Sequence, residues 1–168
     1  LGSFTTKNDG TATLTMRATV EGSIICVDWK GEGVDIDQYV LTTNPTTFNV
    51  TTHAGCNAKV YSYSAASNLS VFSLDGAALE SADFSNMTEL ICLSVKKAGL
   101  TSITLPDAPE LMELMLDGNA LESIDLSKYT KLYLLTLNDN KFTSFDLSKY
   151  PSLGIFSISN NQLTDITL

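Results

Sequence analysis

Leu111-Met112-Glu113-Leu114-Met115-Leu116-Asp117-Gly118-Asn119-Ala120-Leu121 is the stretch from which the rest of the chain can be read. With substitutions it returns every 21 residues, each copy opening on a leucine: Leu69, Leu90, Leu111, Leu132 and Leu153. Six columns are apolar in every copy, and in the third they are Leu111, Leu114, Leu116, Leu121, Ile124 and Leu126. Only Ala82, in the first copy, is small. Self-similarity at a fixed period of this length means stacked coils, each burying its apolar residues against its neighbours. Alternation at Leu114 and Leu116 sets a short strand with those two side chains inward, and stacking pairs successive strands in parallel.

The pattern L-x-x-L-x-L-x-x-N-x-L, complete in Leu111 to Leu121 and closed by Phe142 in the copy from Leu132, is the leucine-rich-repeat signature. Only about ten residues remain after the Asn for the return path, too few for a full helix. Glu122-Ser123-Ile124-Asp125-Leu126 and Thr143-Ser144-Phe145-Asp146-Leu147 alternate polar and apolar, which predicts an extended or single-turn far side. Ser127-Lys128-Tyr129 and Ser148-Lys149-Tyr150 turn the chain back, and Pro151 blocks helix continuation. The expected fold is mainly β: a right-handed leucine-rich-repeat solenoid over 69–168, with a parallel sheet on its concave face and an extended or 3-10 convex side.

Residues 1–68 do not follow the period. Thr11 to Val20, Ser23 to Trp29, Thr46 to Thr52 and Ala58 to Tyr63 read as strands, punctuated by Gly22, Gly31, Gly33 and Pro45. An exposed first coil would leave apolar side chains and sheet-edge groups open, so this antiparallel, sandwich-like region is expected to cap the solenoid. No Gly/Ser/Pro tract near Asn68 marks a flexible linker.

Asn119, Asn140 and Asn161 fall in the turn after each strand, where an inward amide can pair backbone groups of its own and the neighbouring coil. The expected role is a structural ladder. Ala77 and Ala98 replace the Asn in the first two copies, so those coils must close their turns differently.

The chain has 168 residues, 43% hydrophobic and 17% charged, with a formal net charge of −9. That charge argues against a nucleic-acid partner. No apolar run approaches the roughly 18 residues of a spanning helix, and Leu1-Gly2-Ser3-Phe4 begins no charged and apolar leader. Cys26, Cys56 and Cys92 make an odd count, widely spaced and without C-x-x-C, so neither a disulfide scaffold nor a zinc site is expected. The acidic group Asp28, Glu32, Asp35 and Asp37 lacks the ordered spacing of a calcium loop and reads first as a glycine-turned hairpin. The lone His53 has no recognisable Ser or Cys motif partner, so no enzyme and no cofactor is expected.

Ile124-Asp125-Leu126-Ser127 and Phe145-Asp146-Leu147-Ser148, set in repeats of this length, resemble those of bacterial surface leucine-rich-repeat proteins of the internalin-like group, the internalin J type above all. The likeness covers Leu69 to Leu168. It departs in one column: that type often carries a cysteine ladder where this chain has Leu74, Val95, Leu116, Leu137 and Ile158. Val27-Asp28-Trp29-Lys30-Gly31-Glu32-Gly33 is also similar to the D-W-G-D-G turn that precedes repeats in related gut-bacterial surface proteins, with Lys30 interrupting it. The resemblance implies an exported protein, extracellular or anchored at the cell surface, that binds other macromolecules. It implies no particular ligand.

A binding role directs attention to the columns that point out of the concave sheet. One holds Val71, Cys92, Glu113, Leu134 and Ile155; the next holds Ser73, Ser94, Met115, Thr136 and Ser157; a third holds Asp75, Lys96, Asp117, Asn138 and Ser159. An apolar stripe beside a polar one is the expected partner surface, carried by Val71, Cys92, Met115, Asp117, Leu134, Thr136, Asn138 and Ile155. Few aromatics lie in these columns, which argues against sugar stacking. The partner expected is a protein or other extracellular macromolecule, with a structural spacer as the alternative. The last copy stops at Leu168 in a column expected to be buried, which predicts either further repeats or a second copy against the open edge.

Overall fold

The structure, a computed structural model, describes residues 2–6, 9–19, 23–28, 36–52, 57–62 and 69–168. Trp29, Lys30, Glu32, Asp35, His53 and Cys56, and the side chains of Cys26, Asp28 and Asp37, lie outside the described residues. Asn68 and the junction expected there lie outside them as well.

Each coil starts at its leucine and lays one short strand beside the last. The strands β7 (Leu69–Asp75), β9 (Cys92–Ser94), β10 (Glu113–Met115), β11 (Leu134–Thr136) and β13 (Ile155–Ser157) pair in parallel, with identical columns opposite one another. Val71, Cys92, Glu113, Leu134 and Ile155 therefore form one straight row across the sheet. The result is a parallel β-solenoid of about five turns at 21-residue spacing. Its inward residues fill the space between the layers: Phe72, Leu74, Leu93, Val95, Leu114, Leu116, Leu135 and Leu137 are all fully buried.

The far side is extended, as the alternation predicts. It carries β8 (Leu79–Asp83), a single bridge from Asp83 to Thr104, β12 (Ser144–Asp146) and β14 (Asp165–Thr167), and one 3-10 turn at Leu147–Lys149. In three of its corners an aspartate accepts from a backbone N–H two residues on: Asp83 from Ser85, Asp125 from Ser127 and Asp146 from Ser148. Such Asx turns reverse the chain without an α-helix, and the one at Asp146 caps the 3-10 turn. The second coil has Thr104 and Pro106 at these positions, and proline has no N–H to offer.

The N-terminal region is not merely stacked on the first coil. Its strands are β1 (Gly2–Thr6), β2 (Gly10–Ala18), β3 (Ser23–Asp28), β4 (Ile36–Leu41), β5 (Thr46–Thr52) and β6 (Asn57–Ser62). Sequence patterning finds four of these and misses β1 and β4. Both layers of the region run on into the solenoid: β5 and β2 join β7 on the concave side, and β4, β3, β6 and β1 join β8 on the convex side. Strand β7 is antiparallel to β2 on one edge and parallel to β9 on the other. The first coil thus belongs to both architectures, and the core is continuous from Leu14 and Met16 through Phe72 and Phe84 to Leu137.

At the other end the burial weakens. Leu153, Phe156, Ile158 and Leu163 are only partly buried, held by rings of Phe142, Phe145 and Tyr150 that cluster with Phe156. Leu168, expected inside, is 90% exposed, because its side of the fifth coil has no neighbouring coil against it.

Candidate concave-face interaction surface

Two hydrogen-bonded ladders run along the turn side of the concave sheet. In the first, the Asn119 Oδ1 accepts from the Leu100 N–H at 3.0 Å, while its Nδ2 donates to the Val95 carbonyl at 2.8 Å and the Leu116 carbonyl at 2.9 Å. Asn140 repeats the set on Leu121, Leu116 and Leu137, and Asn161 on Phe142, Leu137 and Ile158. Each amide therefore stitches its own coil to the one before. Where Ala98 stands instead, the bond is made by backbone alone, the Leu79 N–H reaching the Ala98 carbonyl at 2.8 Å.

The turn itself needs a left-handed residue just before that column. Gly76, Lys97, Gly118, Asp139 and Asn160 all have φ between +55° and +83°. Glycine, asparagine and aspartate adopt this region with least penalty, and Lys97 is the exception. Sequence reading missed this column, which carries no apolar signal and shows only in its Gly, Asp and Asn residues.

The second ladder was not expected. Asp117 Oδ2 accepts from the Thr136 hydroxyl at 2.6 Å, and its Oδ1 accepts from both the backbone N–H and the Nδ2 of Asn138, at 2.9 and 2.8 Å. Asn138 Oδ1 in turn accepts from the Ser157 hydroxyl and the Ser159 N–H. Asp75 does the same for Ser94 and Lys96. A rule follows: an acceptor at one position meets a hydroxyl 19 residues on, as in Asp75 with Ser94, Asp117 with Thr136 and Asn138 with Ser157. Lys96 is no acceptor, and the residue 19 positions beyond it is Met115, which has no hydroxyl to donate. The rung is missing on both sides at once. Asp117, Thr136 and Asn138, read from the sequence as partner contacts, thus spend these hydrogen bonds on one another.

From Ile91 to Ile155 the opposite margin is joined from coil to coil by backbone bonds. The Ile91 carbonyl accepts from two consecutive N–H groups, those of Met112 and Glu113, at 2.9 and 3.0 Å. The Met112 carbonyl accepts likewise from Tyr133 and Leu134, and the Tyr133 carbonyl from Gly154 and Ile155. Each shared carbonyl stands just before the first residue of its strand, so Met112 and Tyr133 lie outside the alternation of β10 and β11 and are exposed beside the first strand residue. Met112 is 45% exposed, Tyr133 49% and Ile155 48%, with Leu134 half-buried beside them. A Cβ on Gly154 would come within 2.2 Å of the Tyr133 ring, so the ring packs directly against that glycine. Sequence reading placed Leu134 and Ile155 here but missed Met112 and Tyr133, because strict alternation turns the residue after the leucine inward.

No protein-family model, curated protein or solved structure matches this chain. Its surface must therefore be judged on its own chemistry.

Cys92 lies in the row between Val71 and Glu113. Burial, and then the neighbouring Glu113 carboxylate, push its thiol up to about 12. It stays a neutral, soft apolar group instead of a nucleophile. Glu113 is exposed and forms no ion pair among the described residues. Lys131 pairs with Glu110 at 2.5 Å and Lys96 lies 3.9 Å from Asp75, while Arg17 Nε donates to the Ser70 hydroxyl at 2.9 Å and its charge, like that of Lys96, only partly offsets the push on Cys92. The surface thus offers an apolar margin with one carboxylate in it, next to a polar margin already saturated with internal bonds. No helix among the described residues is long and apolar enough to cross a membrane.

Proposed function

We propose that this chain is a non-catalytic protein-binding module of the leucine-rich-repeat, internalin-like kind, borne by an exported bacterial surface protein, and that it takes its partner on the concave sheet. The observation that carries this reading is the exposed row Met112, Tyr133, Leu134 and Ile155, which the fold does not require to be apolar. Contiguous apolar surface of this kind is costly to leave in water and marks interaction sites. Tyrosine and methionine are also among the residues enriched at the cores of protein interfaces. Polar side chains in the ladder keep their alignment by internal bonds, which gives the margin a rigid support and lowers the ordering cost of association.

An array of extracellular proteins probed with the intact chain, alongside a Met115→Ser/Leu134→Ser/Ile155→Ser variant, tests the proposal. Capture of a defined partner by the wild type and its loss in a variant with an unchanged circular dichroism spectrum is the expected outcome. Equal capture by both would favour a spacer that merely holds its neighbours apart.

A further inference from the structure

Resting on the concave-face reading above, we infer that the apolar margin recognises a protein segment presenting an arginine flanked by apolar side chains, with Glu113 as its counter-charge. The carboxylate sits in the row directly between Cys92 and Leu134, and the adjacent column contributes Met112 and Tyr133. Within the chain this carboxylate has the neutral Cys92 thiol as a hydrogen-bond donor but forms no ion pair among the described residues, and the chain as a whole is strongly acidic. Neutralisation has to come from outside. A partner that buries the margin also desolvates Glu113, and a carboxylate buried without a cation is heavily penalised. The surface therefore selects against partners that bring only apolar groups, and selects for a cation.

Arginine fits better than lysine for two reasons. Its planar guanidinium can bond a carboxylate with two parallel N–H groups, and it stacks on an aromatic face at the same time. Tyr133 provides that face. Its ring packs against Gly154 so closely that a methyl group there would collide with it, so the glycine is what lets the ring take this place. Cation and ring interactions of this kind add to the ion pair as the site is desolvated. Apolar residues on either side of the arginine would then meet Met112 on one flank and Leu134 and Ile155 on the other.

A random dodecapeptide phage library selected on the full chain tests this, with parallel selections on Glu113→Gln, Gly154→Ala and Tyr133→Ala/Ile155→Ser. The expected wild-type pool is enriched in arginine next to Leu, Ile, Phe or Trp. A synthetic peptide from it should bind roughly tenfold more tightly than its citrulline analogue, the size expected for a charge-assisted pair. Glu113→Gln should erase that ratio while keeping the apolar preference, and Gly154→Ala should shift the preference from arginine towards lysine. A wild-type pool without basic enrichment, or the same enrichment on Glu113→Gln, overturns the inference and leaves the concave-face reading standing. Selection unaffected by Tyr133→Ala/Ile155→Ser overturns both.

Discussion

The two margins of the concave sheet share strands and register, yet one carries ladders of side-chain bonds from coil to coil and the other is joined from Ile91 to Ile155 by paired backbone bonds. On the turn side, Asn119, Asn140 and Asn161 and the Asp117 to Asn138 relay satisfy groups that the sharp turn strands. On the entry side, each carbonyl takes two N–H groups from the next coil, so no side chain is needed. The difference teaches where a repeat has freedom. Residues that close the coil are committed by the backbone's demand for partners, and residues at the strand entry are not.

The contrast can be broken or sharpened by measurement. The largest expected effect is at Cys92. In a Cys26→Ser/Cys56→Ser background, alkylation at pH 8 should run on the order of a thousandfold slower than for a free thiol, because the thiol is pushed from 9.0 to about 12. The sign is that of a raised acid: the neutral form persists upward, so the rate should keep climbing with pH through the alkaline range. Ordinary reactivity at pH 8 would show that the margin is wet. Asn140→Ala comes next, with an expected loss of about 1 to 3 kcal/mol in urea unfolding, since it strands the buried Leu121 N–H and removes one of the two amide donors on each of the Leu116 and Leu137 carbonyls. An unchanged melting curve would contradict the ladder. Asp117→Ala should cost about 1 kcal/mol, and a double-mutant cycle with Thr136→Val should show the two losses to be non-additive. The smallest effect is a gain: Lys96→Asp combined with Met115→Ser installs the missing rung and should add about 0.5 to 1 kcal/mol, with neither change alone reproducing it. Additive single effects would show that the hydroxyl and the acceptor do not meet.

The solenoid was legible because its period is written in large apolar side chains, which only a shared core explains. Leu114 and Leu116 announce a strand, and the stacking then follows from repetition. The Asn ladder could be foreseen from position and side-chain chemistry. The Asp117 relay could have been, from the pairing of an acceptor with a hydroxyl 19 positions later and its joint absence at Lys96 and Met115. The exposed Met112 and Tyr133 were not foreseeable by alternation, since they stand just before β10 and β11, where the strand's alternation does not yet hold. The strands β1 and β4 were missed for a different reason. Gly2–Thr6 and Ile36–Leu41 are short and only weakly alternating, and each becomes a strand because a partner edge from elsewhere in the chain accepts it.

The double allegiance of β7 gives the molecule a direction of assembly. Joining it to β2 brings together residues such as Arg17 and Ser70, 53 positions apart, whereas every later coil closes a loop of a single period. Contacts that distant in sequence are the slow ones to form, and nearest-neighbour stacking is fast and incremental. The N-terminal sheets therefore act as a seed crystal: refolding should show one slow nucleating phase, followed by rapid growth towards the C-terminus. Amide exchange should report the same polarity, with protection highest around Phe72 and fading coil by coil towards Ile155.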